Sequence, residues 1–186
     1  LGRVIHIHSH RMAPGRDAGN PRYRPDAGGG ALLDIGCYCV NFSRAVTGTE
    51  PTRVDAHAHF VDAVDLTLTG MLEFPGHVTA QFCCSMESEP SFGAEIIGTD
   101  GRIVVPHPWM PPVWPTEFTV VRGLKSETIV VQPADAPPHI LAAFALQFAH
   151  FADCIREGRA SLITESDSLG NARVLDALAA SARLNP

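Results

Sequence analysis

The sequence has no apolar run long enough to span a bilayer and no basic segment ahead of a short greasy one. A membrane span and an export leader therefore have no support in these 186 residues. Positive charge is also scarce. Fourteen Lys and Arg face twenty Asp and Glu, a formal charge of −6. That argues against a nucleic-acid partner, because a phosphate backbone wants a basic face. The five cysteines are odd in number, and none stands in the C-x-x-C spacing of zinc or redox sites. Cys37 with Cys39, and Cys83 with Cys84, are poorly spaced to bridge each other. The expectation is reduced core thiols in a cytoplasmic protein.

What is present is a globular composition, with 45% hydrophobic and 18% charged residues in a chain of one-domain length. "LGRVIHIHSH" alternates from its start, with Ile5 and Ile7 on one face and His6, His8 and His10 on the other. It begins in mid-strand without an initiating methionine, as expected of a chain cut from something longer or lacking its upstream part. A Pro-, Gly- and Arg-rich loop follows. From Ala31 the period changes: Leu32, Ile35, Cys39, Phe42 and Val46 recur at helical spacing, and Gly48 stands where a C-cap would. "TRVDAHAHF", "VDLTLTGMLEF", "HVTAQFCCSM", "AEIIG", "GRIVVP", "EFTVVRG" and "SETIVVQ" then read as strands. "FPGH" and "GTDG" are tight turns, with Asp-Gly supplying a positive-φ residue in the second. Short turns predict antiparallel pairing. Two helices close the chain, the first with Phe144, Phe148, Phe151 and Ile155 in one apolar stripe. The fold class expected is α+β: a large, mostly antiparallel, open-faced sheet with helices packed on one face. The open face calls for a partner.

The glycine run in "GGGALLDIGCYCVNF" (28–42) invites a phosphate-binding reading. The context refuses it. A dinucleotide fingerprint needs a strand–turn–helix within a βαβ unit, and there is no Walker lysine. The glycines instead let other groups approach the start of a helix closely. Asp34 and Tyr38, four apart, then share a helical face. A phenol that exchanges a proton needs a neighbour to orient or tune it, and a carboxylate one turn away can serve. A first-turn Asp favoured by the helix dipole beside a half-buried Tyr is the structural alternative.

The same stretch resembles the G-G-G-x-L-x-D-x-G-x-[HY] segment of the glucose–fructose oxidoreductase / inositol dehydrogenase (Gfo/Idh/MocA) family, most nearly the branch with dihydrodiol and xylose dehydrogenases. "VDAHAHF", "VDLTLTGMLEFPGHVTAQFCCS" and "EIIGTDGRIVV" are similar to that family's sheet strands, and "FALQFAHFADCIREGR" and "DSLGNARVLDALAASAR" to its closing helices. The resemblance implies that residues 1–186 are the substrate-binding and dimerisation domain of an NADP- or NAD-dependent oxidoreductase, with the family's N-terminal Rossmann domain absent. The Gly-rich cofactor loop and the Glu-Lys-Pro stretch with its lysine are missing here, so the fragment alone is expected to be inactive. It implies that Tyr38 exchanges a proton with a sugar or cyclic-diol substrate and that Asp34 orients the reacting groups. It also implies a homodimer or higher oligomer through the open sheet face. The alternative is a stand-alone, non-catalytic binding or scaffold domain that keeps the fold.

Four further residues are candidates for holding substrate. Arg24 resembles a family arginine just upstream of the glycines, and Asn41 lies one turn beyond Tyr38. Trp109 and Trp114 offer aromatic faces in the stiff "PHPWMPPVWP" loop. The strand histidines His6, His8 and His10, with His57 and His59, invite a metal. Residues i and i+4 of a strand are about 13 Å apart, too far for one zinc, so they read as polar sheet-face residues. Asp153, Arg156, Glu157 and Arg159 read as solvated helix charges.

Overall fold

A computed structural model of the chain describes residues 1–15, 19–109, 115–132 and 142–184. Strand β1 (Val4–Met12) precedes two short 3-10 turns, Pro21–Tyr23 and Pro25–Ala27. A wide π-type turn, Leu32–Gly36, leads into helix α1, Cys37–Thr47. Seven strands follow: β2 (Arg53–Val61), β3 (Val64–Phe74), β4 (Val78–Ser85), β5 (Ser91–Gly98), β6 (Arg102–Val105), β7 (Thr116–Arg122) and β8 (Lys125–Val131). Helices α2 (Ala142–Glu157) and α3 (Glu165–Leu184) end the chain.

All eight strands form one sheet, in the order β2-β3-β4-β1-β5-β6-β7-β8. The expected antiparallel pairing holds for every neighbouring pair except β1 with β4, which is parallel, His6 opposite Thr79 and Met12 opposite Ser85. The turn rule could not reach that pair. A helix and two strands separate β1 from β4, long enough for a crossover.

Alternation decides the two faces. Ile7, Ala56, Ala58, Leu68, Leu72, Ala80, Phe82 and Cys84 point to one side and meet Leu32, Ile35, Val40, Val174 and Leu178 of the helical layer. Gly70 makes the approach possible. A Cβ there would collide with the Phe82 ring and lie 3.2 Å from Leu178 Cδ2. Arg44, 5% exposed, ties α1 to α3: it donates from Nε to Glu50 Oε2 at 2.8 Å and from Nη1 to Asp167 Oδ1 at 3.0 Å. On the other side, His8, His57, His59, Thr69, Met71 and Gln81 are exposed, so the open face is mainly polar.

Two expectations need correction. Helices α1 and α3 pack on the sheet, but the stripe on α2 is uncovered: Phe148 is 70% and Ile155 68% exposed. No described element covers that hydrocarbon. The "GTDG" turn also closes differently. Neither Asp100 nor Gly101 takes a positive φ. Gly101 is needed because a Cβ would come within 2.6 Å of the Val121 carbonyl oxygen. Left-handed backbone occurs instead in other strand turns, among them the β2–β3 turn at Asp62 (φ 48°) and Ala63 (φ 65°) and the β3–β4 turn at Gly76 (φ 76°) and His77 (φ 63°).

Candidate active site at the start of helix α1

The glycine run has a structural purpose. The N–H groups of Gly28, Gly29 and Gly30 donate to the carbonyls of Pro25, Arg24 and Arg22, so none of the three is left for a phosphate. Gly30, at φ 133°, abuts the Asp65 carboxylate, and a Cβ there would overlap it. The space goes to Asp65, whose Oδ2 accepts the Leu32 N–H at 2.7 Å and so satisfies an otherwise orphaned donor at the helix start. Burial pushes the Asp65 carboxyl above its ordinary value, against the pull of the backbone donors.

Asp34 sits inside the π-type turn, a form that recurs at functional sites. Its Oδ1 accepts from Arg22 Nε at 2.6 Å. Arg24, the arginine named from the sequence as a candidate substrate contact, pairs with Asp26 at the surface. Tyr38 lies one turn on and is 44% exposed. Its ring has a cation on one face: Arg11 Cζ stands 4.3 Å from the centroid. Trp109 flanks it at 6.3 Å between centroids, tilted 46°. Trp109 is itself fixed, with Nε1–H donated to the His10 carbonyl at 3.0 Å and its ring edge-on to Phe42 at 5.7 Å. It is thus both a loop anchor and a wall of the site. Asn41 is half-buried, and Trp114 lies outside the described residues.

The structure therefore brings Asp34, Tyr38 and Trp109 into one region. Arg11 and Arg22 belong there too, and sequence reasoning missed both. For Arg11 a signal existed: alternation in β1 puts it on the inward face with Ile7 and Ser9, an unusual place for a charge. For Arg22 none did, because loop spacing cannot say which of two nearby arginines turns inward. A cavity of about 550 Å³ opens on the other side of the helix start, lined by Leu32, Phe60, Asp65, Leu175 and Arg183. Neither Asp34 nor Tyr38 lines it.

Other chemistry-bearing groups are accounted for locally. His6 shares a 2.8 Å hydrogen bond with Thr79, His10 one of 3.0 Å with Ser91, and His59 meets Glu87 at 3.0 Å. Burial, and then the neighbouring His8, lower His6 and His10 below the ordinary imidazole value. Among the described residues no three His, Cys, Asp or Glu converge to hold a metal. All five cysteines are free thiols. No described helix is long and apolar enough to cross a membrane.

Comparison with known proteins agrees with this architecture. Residues 1–104 match the family model described as the GFO/IDH/MocA C-terminal domain. The chain is 34% identical to human trans-1,2-dihydrobenzene-1,2-diol dehydrogenase over 133 residues, 70% of this chain and 39% of that protein. It is 28% identical to D-xylose 1-dehydrogenase (NADP(+)) 2 of Haloferax volcanii over 190 residues, 98% of this chain and 55% of that protein. A solved structure of the 3-ketoreductase KijD10 from Actinomadura kijaniata, in complex with NADP and TDP-benzene, superposes with a TM-score of 0.83 at 27% identity. That match covers 97% of this chain and 55% of the ketoreductase. The chain thus spans about half or less of the length of these relatives. Matching the family model over more than half its residues, with the same fold, the chain belongs to the GFO/IDH/MocA family.

Proposed function

We propose that this chain is the substrate-binding domain of an NADP- or NAD-dependent oxidoreductase that moves hydride between nicotinamide and a secondary alcohol or carbonyl of a sugar or cyclic diol. The observation that carries the reading is the setting of Tyr38. Its phenol is not sealed in hydrocarbon but 44% exposed, with a carboxylate one turn before it and a guanidinium on its ring. The relatives are named for the same class of chemistry: a diol dehydrogenase, a xylose dehydrogenase and a ketoreductase.

Oxidising a secondary alcohol removes a hydride from carbon and a proton from oxygen. The nicotinamide supplies the hydride acceptor or donor. The residues of this chain manage the proton: Tyr38 takes it from the substrate hydroxyl or returns it to the carbonyl. Asp34, held by Arg22, orients that hydroxyl, while Trp109 gives the substrate ring an apolar wall and Asn41 a hydrogen-bonding edge. Arg24 and Trp114 stay candidates for outer substrate contacts. The glycine-run N–H groups are all engaged, so they are not free to hold the cofactor's phosphates. The phosphates would be held by other polypeptide, and the domain alone would not turn over.

The test is a hydride-transfer assay with sugars and diols, on the polypeptide carrying this chain together with a nicotinamide-binding half. Tyr38→Phe is expected to lower kcat by about 10²-fold or more. An effect within a factor of a few removes Tyr38 from the proton step. The open sheet face is proposed to bind a second copy. An eight-strand face about 35–40 Å wide is ample for the roughly 800 Å² per partner that stable interfaces bury. A monomer in light scattering at micromolar concentration removes that proposal.

A further inference from the structure

We propose that Arg11 is the positioning residue of Tyr38: its guanidinium fixes the plane of the phenol ring and sets a constant positive charge against the group that exchanges the proton. The inference deepens the dehydrogenase reading of this site and rests on it for the chemistry. The geometric half stands on its own.

Three observations carry it. Arg11 lies on the inward face of β1, two residues after buried Ser9 and paired across the sheet with Phe92. Its Cζ is 4.3 Å from the centroid of the Tyr38 ring, within the range of a cation–π contact. Its Nη1 is buried and, among the described residues, has no hydrogen-bond partner. An N–H kept from water without an acceptor costs stability. The contact of Arg11 with Tyr38 supplies a reason for a cation at this position. On another side the ring meets Trp109, whose own place is fixed by the His10 carbonyl, one residue before Arg11. Strand and loop together hold the phenol.

The electrostatics favour the reacting state. In the carbonyl-reduction direction the proton leaves the phenol oxygen, negative charge spreads into the ring, and a fixed cation on the ring face attracts it more strongly than it attracts the neutral phenol. An interaction that strengthens along the reaction raises kcat without tightening substrate binding. A planar guanidinium also stacks on the ring, which an ammonium cannot do. Lys at position 11 keeps the charge and loses part of the ring-plane restraint.

The experiment compares Arg11→Met, Arg11→Lys and Tyr38→Leu with the wild type. In proton NMR of the protein without cofactor, the Arg11 side-chain protons are expected upfield of their random-coil positions, shifted by the Tyr38 ring. Tyr38→Leu removes that shift, and Arg11→Met weakens the Tyr38–Trp109 ring contacts. In the hydride-transfer assay run as reduction of a carbonyl substrate, Arg11→Met is expected to lower kcat about tenfold or more, leave KM nearly unchanged and raise the solvent deuterium isotope effect on kcat. Arg11→Lys should recover most of the rate. An Arg11 proton spectrum without ring shifts overturns the geometric claim. A kcat for Arg11→Met within twofold of wild type overturns the catalytic one, as does equal loss in both variants with an unchanged isotope effect, the pattern of a merely structural residue. A wild type that transfers no hydride between nicotinamide and any sugar or diol, or their carbonyl forms, overturns the dehydrogenase reading instead, a result separate from the ring-shift outcome.

Discussion

Replacing Gly30 and, separately, Gly28 by alanine makes the same chemical change two residues apart, with different expected costs. Gly28 adopts φ 69° and ψ 34°, and a Cβ there meets nothing within 4 Å. Alanine in that left-handed conformation costs about 1–2 kcal/mol. Gly30 adopts φ 133°, a region nearly closed to other residues, and forcing alanine into it costs about 1–3 kcal/mol. The new Cβ would also overlap the Asp65 carboxylate, which must move and release the Leu32 N–H. Losing such a helix-start bond costs a further ~1 kcal/mol. Gly30→Ala should therefore destabilise by about 2–4 kcal/mol, roughly 1.5 more than Gly28→Ala. For a chain of this length, that difference is about 3–6 °C in Tm. Urea denaturation at neutral pH measures both. In Gly30→Ala/Asp65→Ala the overlap is gone, so the two substitutions should couple by about 0.5–3 kcal/mol. Equal losses for the two glycines within about 0.5 kcal/mol, or simple additivity with Asp65→Ala, would refute the account of the glycine run given above.

Arg44→Met keeps the buried stem and removes the donors that join α1 to α3. Glu50 and Asp167 remain partly in water, so the loss should be about 1–3 kcal/mol, below that for a fully buried pair. Arg44 holds the Glu50 carboxyl below the usual range, chiefly by hydrogen bonding. A carboxyl whose folded value is depressed adds stability above its unfolded value near 4.3 and loses it as pH falls through the folded one. The gap between wild type and Arg44→Met should thus narrow in denaturation curves below about pH 4; a gap independent of pH would sink the assignment. Burial pushes the Cys39 thiol up to about 12. Cys39 and Cys84 should therefore stay unlabelled by a thiol disulfide reagent at pH 8 until the protein unfolds, as mass spectrometry would show. Labelling of native Cys39 as fast as half-exposed Cys83 would contradict its place in the core.

Alternation made the sheet legible. The histidines of β1 and the alanines of β2 fall on the faces their parity assigns, because a half-buried strand cannot slip by one residue without exposing its core. Gly48 ends α1 at φ 65°, as a C-cap should. Other features depend on contacts the local pattern does not carry. The parallel β1–β4 pair is set by how a helix and two strands pack between them. The exposed α2 stripe shows the complementary limit: spacing gives a helix its apolar face but says nothing of what lies opposite.

The site divides along the same line. Asp34 and Tyr38 could be found because helical spacing joins them within one segment. Their partners come from elsewhere in the chain. Arg22 reaches Asp34 across the loop, Arg11 reaches Tyr38 from a strand 27 positions earlier, and Trp109 arrives from beyond β6. Arg24 does not join Asp34 for a physical reason. A 3-10 turn begins directly after it at Pro25, and Asp26 inside that turn captures its guanidinium at the surface. Of these partners only Arg11 left a trace in the sequence, through a parity that opposes its charge. A charged residue at an inward strand position is either a local fault in the core or a group with a task, and the aromatic ring under its guanidinium favours the task.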